Sequence, residues 1–135
     1  MRLVILMGSL SLDYRMPEAW ASELRGWLDR AVELSPNYLE AWESLAWVEA
    51  MAENPRIEVL NRVQRLVPRM RDQDLTLLAI ALIRARQHDE ATAGQIAGLL
   101  LDSPKTKADI RAIARKLDES LKAQGKVADQ AATAR

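Results

Sequence analysis

Apolar residues recur along most of the chain with a period close to 3.6, the spacing that places side chains on one face of an α-helix. The clearest such run is formed by Ile110, Ile113, Ala114, Leu117 and Leu121. Valine and isoleucine are scattered, and they never alternate with polar residues over the length that is typical of a half-buried strand. The pattern therefore predicts an all-α protein.

Prolines and small polar residues divide the periodic stretches into separate helices. Because proline is tolerated in the first turn of a helix but disrupts its interior, each proline marks an end or a start. Asn54 and Ser103, each followed by proline, are predicted N-caps. The breaks predict seven helices, at residues 2–15, 17–34, 37–53, 55–67, 73–87, 89–102 and 104–124. Short connections of this kind make neighbouring helices antiparallel.

Length and composition fit one domain with a core of its own. The chain has 135 residues, and 49% of them are hydrophobic. Residues 125–135 are small and polar and lack periodicity, so we predict a disordered tail after a domain of residues 1–124. Cysteine is absent, which excludes disulfides, thiolate metal sites and cysteine nucleophiles.

The compartment is predicted from what the sequence lacks. The absence of cysteine fits a reducing compartment. The N-terminal apolar run is interrupted by Gly8, Ser9 and Ser11 and has no small-x-small cleavage site, which argues against a signal peptide. No run reaches the roughly 20 apolar residues of a spanning helix. We therefore expect a cytoplasmic protein that does not bind a membrane.

The segment AVELSPNYLEAWESLA carries a more specific pattern. A small residue and Pro36 end one helix, and Trp42, Leu45 and Ala46 begin the next. This pattern resembles the junction between two tetratricopeptide repeats, helix–turn–helix units of about 34 residues. In that family, small residues at fixed positions allow helices to approach closely.

A second match lies about one period further along the chain, in LTLLAIALIRARQHDEATAGQIAGLLLDSP. Here Ala79, Ala91 and Gly98 fall at the small-residue positions of the family. The match near the N-terminus, at Gly8, is weaker. The resemblance implies a short right-handed solenoid of stacked antiparallel hairpins, about three repeats, capped by the helix 104–124. A generic helical solenoid or an irregular bundle is the alternative, because residues 47–71 depart from the family pattern.

The resemblance also implies a binding surface, because the first helix of each repeat lines a concave groove in this family. The corresponding residues are Glu40, Glu43, Trp47, Ala50, Met51, Gln73, Thr76, Ile80, Ile83 and Arg84. The first repeat would add Ile5, Ser9, Leu12 and Asp13. Four of these residues, Trp47, Met51, Ile80 and Ile83, would form an apolar floor that anchors a peptide. Core packing is the alternative interpretation of these apolar residues.

Two further tryptophans are predicted to be core residues. Trp20 and Trp27 are seven residues apart and therefore share one face of the predicted helix 17–34.

Candidates for catalysis are few. His88 is the only histidine and falls at a predicted turn, where a solvated turn residue is the simpler interpretation. The adjacent carboxylates Asp89 and Glu90 point to different sides of a helix. No phosphate-binding glycine loop or metal-ligand spacing appears, so we expect no cofactor, no metal and no enzymatic activity.

Charge is distributed unevenly, although the chain as a whole is neutral. Residues 1–53 hold nine acidic and four basic side chains, and residues 54–135 hold ten acidic and fifteen basic ones. The opposite signs of the two halves allow self-association. Seven arginines lie within residues 56–86, which suits an acidic partner or a nucleic-acid backbone, or simply a solvated helix face. Aromatic residues are missing there, which argues against single-stranded nucleic acid.

The sequence therefore predicts a non-catalytic scaffold that holds a peptide segment or helix of another protein in a groove. Two alternatives belong to other functional classes. One is a regulatory or accessory domain of a larger enzyme or assembly. The other is nucleic-acid binding through the arginine-rich segment.

Overall fold

The computed structural model describes the backbone of residues 15–133 and the side chains of residues 15–125. Within that part the chain forms helices and no strand, which confirms the all-α prediction for the described residues. The six α-helices are α1 (Glu18–Leu34), α2 (Leu39–Met51), α3 (Ile57–Leu66), α4 (Gln73–Arg86), α5 (Glu90–Asp102) and α6 (Ala108–Thr133). A 3-10 turn, Val67–Arg69, follows α3.

Several earlier predictions fall outside this part of the chain. Residues 2–14 of the first predicted helix lie outside the described part. So do Gly8 and the groove residues of the first repeat: Ile5, Ser9, Leu12 and Asp13.

Two helices begin later than their prolines suggest, so Asn54 and Ser103 are not N-caps. Helix α3 begins at Ile57, and the backbone N–H of Arg56, the residue before it, donates to a Glu49 carboxylate oxygen at 2.9 Å. Helix α6 begins at Ala108. It also continues to Thr133, past the predicted end at residue 124, because residues 125–133 contain no proline and are rich in helix formers.

The turn between α4 and α5 is closed by a residue in the left-handed conformation. His88 has a φ of 63°, which usually favours glycine at this position after a helix. The following N–H, of Asp89, donates to the carbonyl of Arg84 at 2.9 Å. The Asp89 side chain in turn accepts from the N–H of Thr92 and caps α5. His88 is exposed, as expected for a turn residue.

Helices α2 and α4 occupy the centre of the described fold. Helix α2 packs against α1, α3 and α4, and helix α4 packs against α2, α5 and α6. Both central helices are apolar over most of their circumference, and helices of that kind are buried. The largest fully buried apolar side chains are Leu45, Leu60, Leu78, Ile80, Ile83 and Leu100.

The small residues of the two repeat-like segments differ in their surroundings. Ala46 on α2 and Ala79 on α4 are buried, as close helix packing requires. Ala91 is exposed, and a Cβ built on Gly98 would meet no atom within 4 Å. Gly98 therefore does not mark a close helix contact within the described residues.

Arginine side chains from neighbouring helices donate hydrogen bonds to carbonyls at the C-terminal ends of two helices. Arg86, in the last turn of α4, donates to the carbonyls of Ala50 at 2.8 Å and Glu53 at 2.7 Å, at the end of α2. Arg111, in the first turn of α6, donates to the carbonyl of Leu101 at 3.1 Å, near the end of α5. The last carbonyls of a helix lack partners within the helix, so each guanidinium satisfies groups that water would otherwise have to solvate.

The prediction that Trp20 and Trp27 are core residues is wrong. Their side chains are 59% and 66% exposed. Helix α1 instead buries Ala21 and packs Leu24 and Leu28 against the core. The packed face lies roughly 100° around the helix from the tryptophans, because successive residues are rotated by that angle.

Candidate functional site

The expected apolar floor of the groove is part of the core. Six of the groove residues are buried: Trp47, Ala50, Met51, Thr76, Ile80 and Ile83. The reason is that α2 and α4 each contact three other helices, so that little of their circumference faces solvent. This corrects the expectation of an open floor, because buried side chains offer no surface to a partner.

Three of the remaining groove residues come together at the N-terminal ends of the central helices. Glu40 and Gln73 are exposed, and Glu43 is half-buried on the second turn of α2. Burial raises the pKa of Glu43, and the nearby carboxylates of Asp72 and Glu40 raise it further. Glu43 is thus a partly buried carboxylate close to two other carboxylates. A cation bound beside it would reduce the repulsion among these three negative charges.

A charged cleft opens next to this acidic group. It has a volume of about 350 Å³ and is formed by the start of α4, the loop after α5 and the start of α6. Its lining residues are Arg71, Asp72, Gln73, Asp74, Leu75, Ser103, Lys105, Lys107 and Ile110. Lys107 Nζ lies 3.9 Å from Asp72 Oδ1, and both side chains are largely exposed. Asp72 therefore belongs both to the cleft and to the acidic group around Glu43.

Replacing Glu43 by glutamine is expected to stabilise the protein slightly near pH 7. A raised pKa in the folded state means that the protonated acid is favoured by folding, and this contribution is lost as pH rises through the folded-state pKa. Solvent screening at a half-exposed site limits the gain at pH 7 to about 0.5 kcal/mol. Urea unfolding measured at neutral pH and again below about pH 4, where the wild-type acid is protonated, checks this.

The gain should disappear at the lower pH. Glu119→Gln, at an exposed position of α6, is the control and should leave stability unchanged at both pH values. A Glu43→Gln variant that is less stable than the wild type at neutral pH would contradict the assignment.

Arg84 does not join the other groove residues. It lies in the last turn of α4, eleven residues or about 16 Å from Gln73 along the helix. Its guanidinium donates to the side-chain oxygens of Gln64 at 3.0 Å and Gln87 at 3.1 Å. Arg84 therefore links α3 to the C-terminal end of α4 through side-chain hydrogen bonds.

The arginine-rich segment 56–86 is partly internal. Arg56, Arg84 and Arg86 have their guanidinium groups engaged by carboxylate or amide groups of the fold. The exposed arginines are Arg62, Arg65, Arg69 and Arg71. Arg62 lies over the ring of Trp42 at 5.8 Å, a cation–π contact. The basic surface is thus smaller than the sequence count indicates.

A buried ion network joins the first three helices and was not predicted. Glu49 is 0% exposed and accepts from Arg25 Nε at 2.9 Å and Arg56 Nε at 3.0 Å. The outer end of Arg56 forms two hydrogen bonds, of 2.9 and 3.0 Å, with Asp29. The one signal in the sequence is an acid within the apolar run LAWVEAM. The Glu49 end of the network is buried, and its outer end at Asp29 is partly exposed.

The described residues contain neither a metal-binding cluster of side chains nor a helix that could span a membrane. No group of three or more histidines or acids among the side chains of residues 15–125 is arranged to hold a metal ion. None of the six described helices combines the length and the apolar character needed to cross a membrane.

Comparison with known proteins adds no assignment: no protein-family model, curated protein or solved structure matches this chain.

Proposed function

We propose that this chain is a non-catalytic protein-binding module built from helical hairpins stacked in the manner of tetratricopeptide repeats. Helix α2 contacts its hairpin partner α3 and also α4, while α4 contacts its partner α5 and also α6. Such an order of neighbours is expected when each hairpin stacks on the next. The buried alanines Ala46 and Ala79 stand at equivalent places on α2 and α4 and support the same arrangement.

The observation that carries the binding role is the charged cleft with its adjoining acidic group. A cleft of about 350 Å³ that carries both signs of charge suits an extended polypeptide, which offers backbone hydrogen-bonding groups and charged side chains. The half-buried Glu43, repelled by Asp72 and Glu40, favours a basic side chain at one end. The partner is therefore a lysine- or arginine-containing segment of another protein.

The proposed partner contacts the accessible edge of the predicted groove, which we call the rim, and not the buried apolar floor. Glu40, Glu43 and Gln73 keep their proposed role, because their side chains remain accessible. Trp47, Met51, Thr76 and Ile80 support the rim from the core. Arg84, whose guanidinium contacts Gln64 and Gln87, is not part of the proposed binding surface.

We expect a labelled basic peptide of about twelve residues to bind, and a neutral peptide of the same length not to bind. Fluorescence anisotropy measures the affinity. Glu43→Lys should weaken binding of the basic peptide about five- to tenfold, because it replaces an attraction by a repulsion at the rim.

Glu119→Lys is the matched control. It makes the same charge change at an exposed position of α6, about 18 Å along the helix from Lys107, and should bind like the wild type. Equal affinities of the two variants for the basic peptide would overturn the proposal. So would preferential binding of an acidic peptide or of single-stranded DNA, which would assign the interaction to the exposed arginines.

A further inference from the structure

Helix α1 carries a line of large apolar side chains on its exposed face. Trp20, Trp27 and Leu34 are 59%, 66% and 75% exposed. A spacing of seven residues is almost two helical turns, so the three side chains lie along one side of the helix at intervals of about 10 Å. We name these three residues the tryptophan stripe. Clustered exposed apolar groups of this size mark interaction sites more often than single ones do.

Charged residues flank the centre of the stripe in a self-complementary order. Glu23 lies four residues before Trp27 and Arg30 lies three residues after it, and both are exposed. Neither has an ion-pair partner among the described residues. If a second α1 runs antiparallel across the first with its centre at Trp27, Glu23 of each copy faces Arg30 of the other.

The same arrangement matches the apolar side chains. Trp27 meets Trp27 of the second copy, and Trp20 of each copy meets Leu34 of the other. A two-fold axis requires that each contact occur twice, which both the apolar line and the charge pair satisfy.

We propose that this chain forms a symmetric homodimer in which the tryptophan stripes of two antiparallel α1 helices pack together. The stripe has three residues, against the roughly 20–30 residues per partner of a stable interface. We therefore expect the dimer to dissociate on dilution through the micromolar range. The stripe shares no residue with the charged cleft, so the dimer and the peptide-binding role can fail independently.

The first test is the concentration dependence of the mass of the full chain. Sedimentation velocity from about 1 to 200 μM should show a shift from the 15.2 kDa monomer towards twice that mass. Trp27→Asp should remain monomeric throughout with unchanged helix content, because the side chain is exposed in one copy. Leu99→Asp, at an exposed apolar position of α5, is the matched control and should still dimerise.

The second test addresses the antiparallel geometry. Glu23→Arg places arginine against Arg30 of the second copy, and Arg30→Glu places glutamate against Glu23, so each variant alone should associate at least fivefold more weakly. An equimolar mixture of the two restores opposite charges across the axis. Native mass spectrometry should then detect the mixed dimer as the dominant dimeric species.

Three results would overturn the proposal. One is a dimer that persists in Trp27→Asp, and another is a charge-swap mixture that associates no better than either variant. The third is a monomer at the highest concentration. In that monomer, low acrylamide quenching of tryptophan emission would assign the stripe to another segment of the same chain, and high quenching would assign it to a different protein.

Discussion

Replacing Glu49 by alanine is expected to lower the free energy of unfolding by about 3–5 kcal/mol. The carboxylate is fully buried and accepts hydrogen bonds from two guanidinium groups and one backbone N–H. Hydrogen bonding to Glu49 raises the pKa of Arg25, so this arginine remains charged in the folded protein. Without the carboxylate, Arg25 loses its principal partner and Arg56 loses one of two, while both side chains remain mostly buried.

Urea unfolding followed by circular dichroism measures this loss. Asp29→Ala is the control, because Asp29 pairs with the outer end of Arg56 and its side chain is 46% exposed. Its removal should cost no more than about 1 kcal/mol. A double-mutant cycle between Arg25→Ala and Glu49→Ala should yield a coupling energy well above that of an exposed pair. A Glu49→Ala variant within about 1 kcal/mol of the wild type would show that the network contributes little.

Replacing Trp47 by alanine is expected to destabilise the protein by about 3–5 kcal/mol. Its side chain is 3% exposed and belongs to the cluster of buried residues to which all six described helices contribute. Truncation removes a large buried surface and leaves a cavity that rigid helices fill only partly. The result would confirm Trp47 as a core residue.

Trp47→Phe is the matched variant. The buried indole Nε1 has no hydrogen-bond partner, so its removal takes away a donor that folding leaves unsatisfied. We therefore expect Trp47→Phe to change stability by less than about 1.5 kcal/mol. Thermal and urea unfolding of both variants decide between the two interpretations of Trp47. If Trp47→Ala keeps wild-type stability and loses peptide binding, the residue belongs to a groove after all.

Helices were predictable from the sequence because their signals are local. The 3.6-residue period depends on residues within two turns of one another, and it located α1 to α5 to within two residues. The start of α6 was predicted four residues too early. The turn before α3 also includes a contact between the Arg56 backbone and Glu49, which only the folded chain brings about.

Burial was less predictable, because periodicity does not say which apolar face meets the core. Helix α1 carries two such faces, one with Leu24 and Leu28 and one with Trp20 and Trp27. Only the position of α2 decides between them. The same limit applies to Trp47, because its resemblance to a groove residue of a repeat does not reveal that neighbouring helices cover it.

The site was predictable only in part, since its residues come from distant segments. Glu40, Glu43 and Gln73 were found because they stand at fixed places on helices that run side by side. The cleft also needs Ser103, Lys105 and Lys107, which a loop more than 25 residues further along the chain supplies. The ion network likewise joins Arg25 to Glu49 across 24 residues, a separation that no local pattern reports.

The guanidinium of Arg86 has a consequence for how this architecture can vary. It donates hydrogen bonds to carbonyls at the end of α2, although Arg86 itself belongs to α4. Helix α4 therefore cannot be deleted or transposed without leaving the carbonyls at the end of α2 uncovered. A chain built in this way acquires or loses units less freely than an array of identical repeats, whose contacts recur unchanged at every boundary.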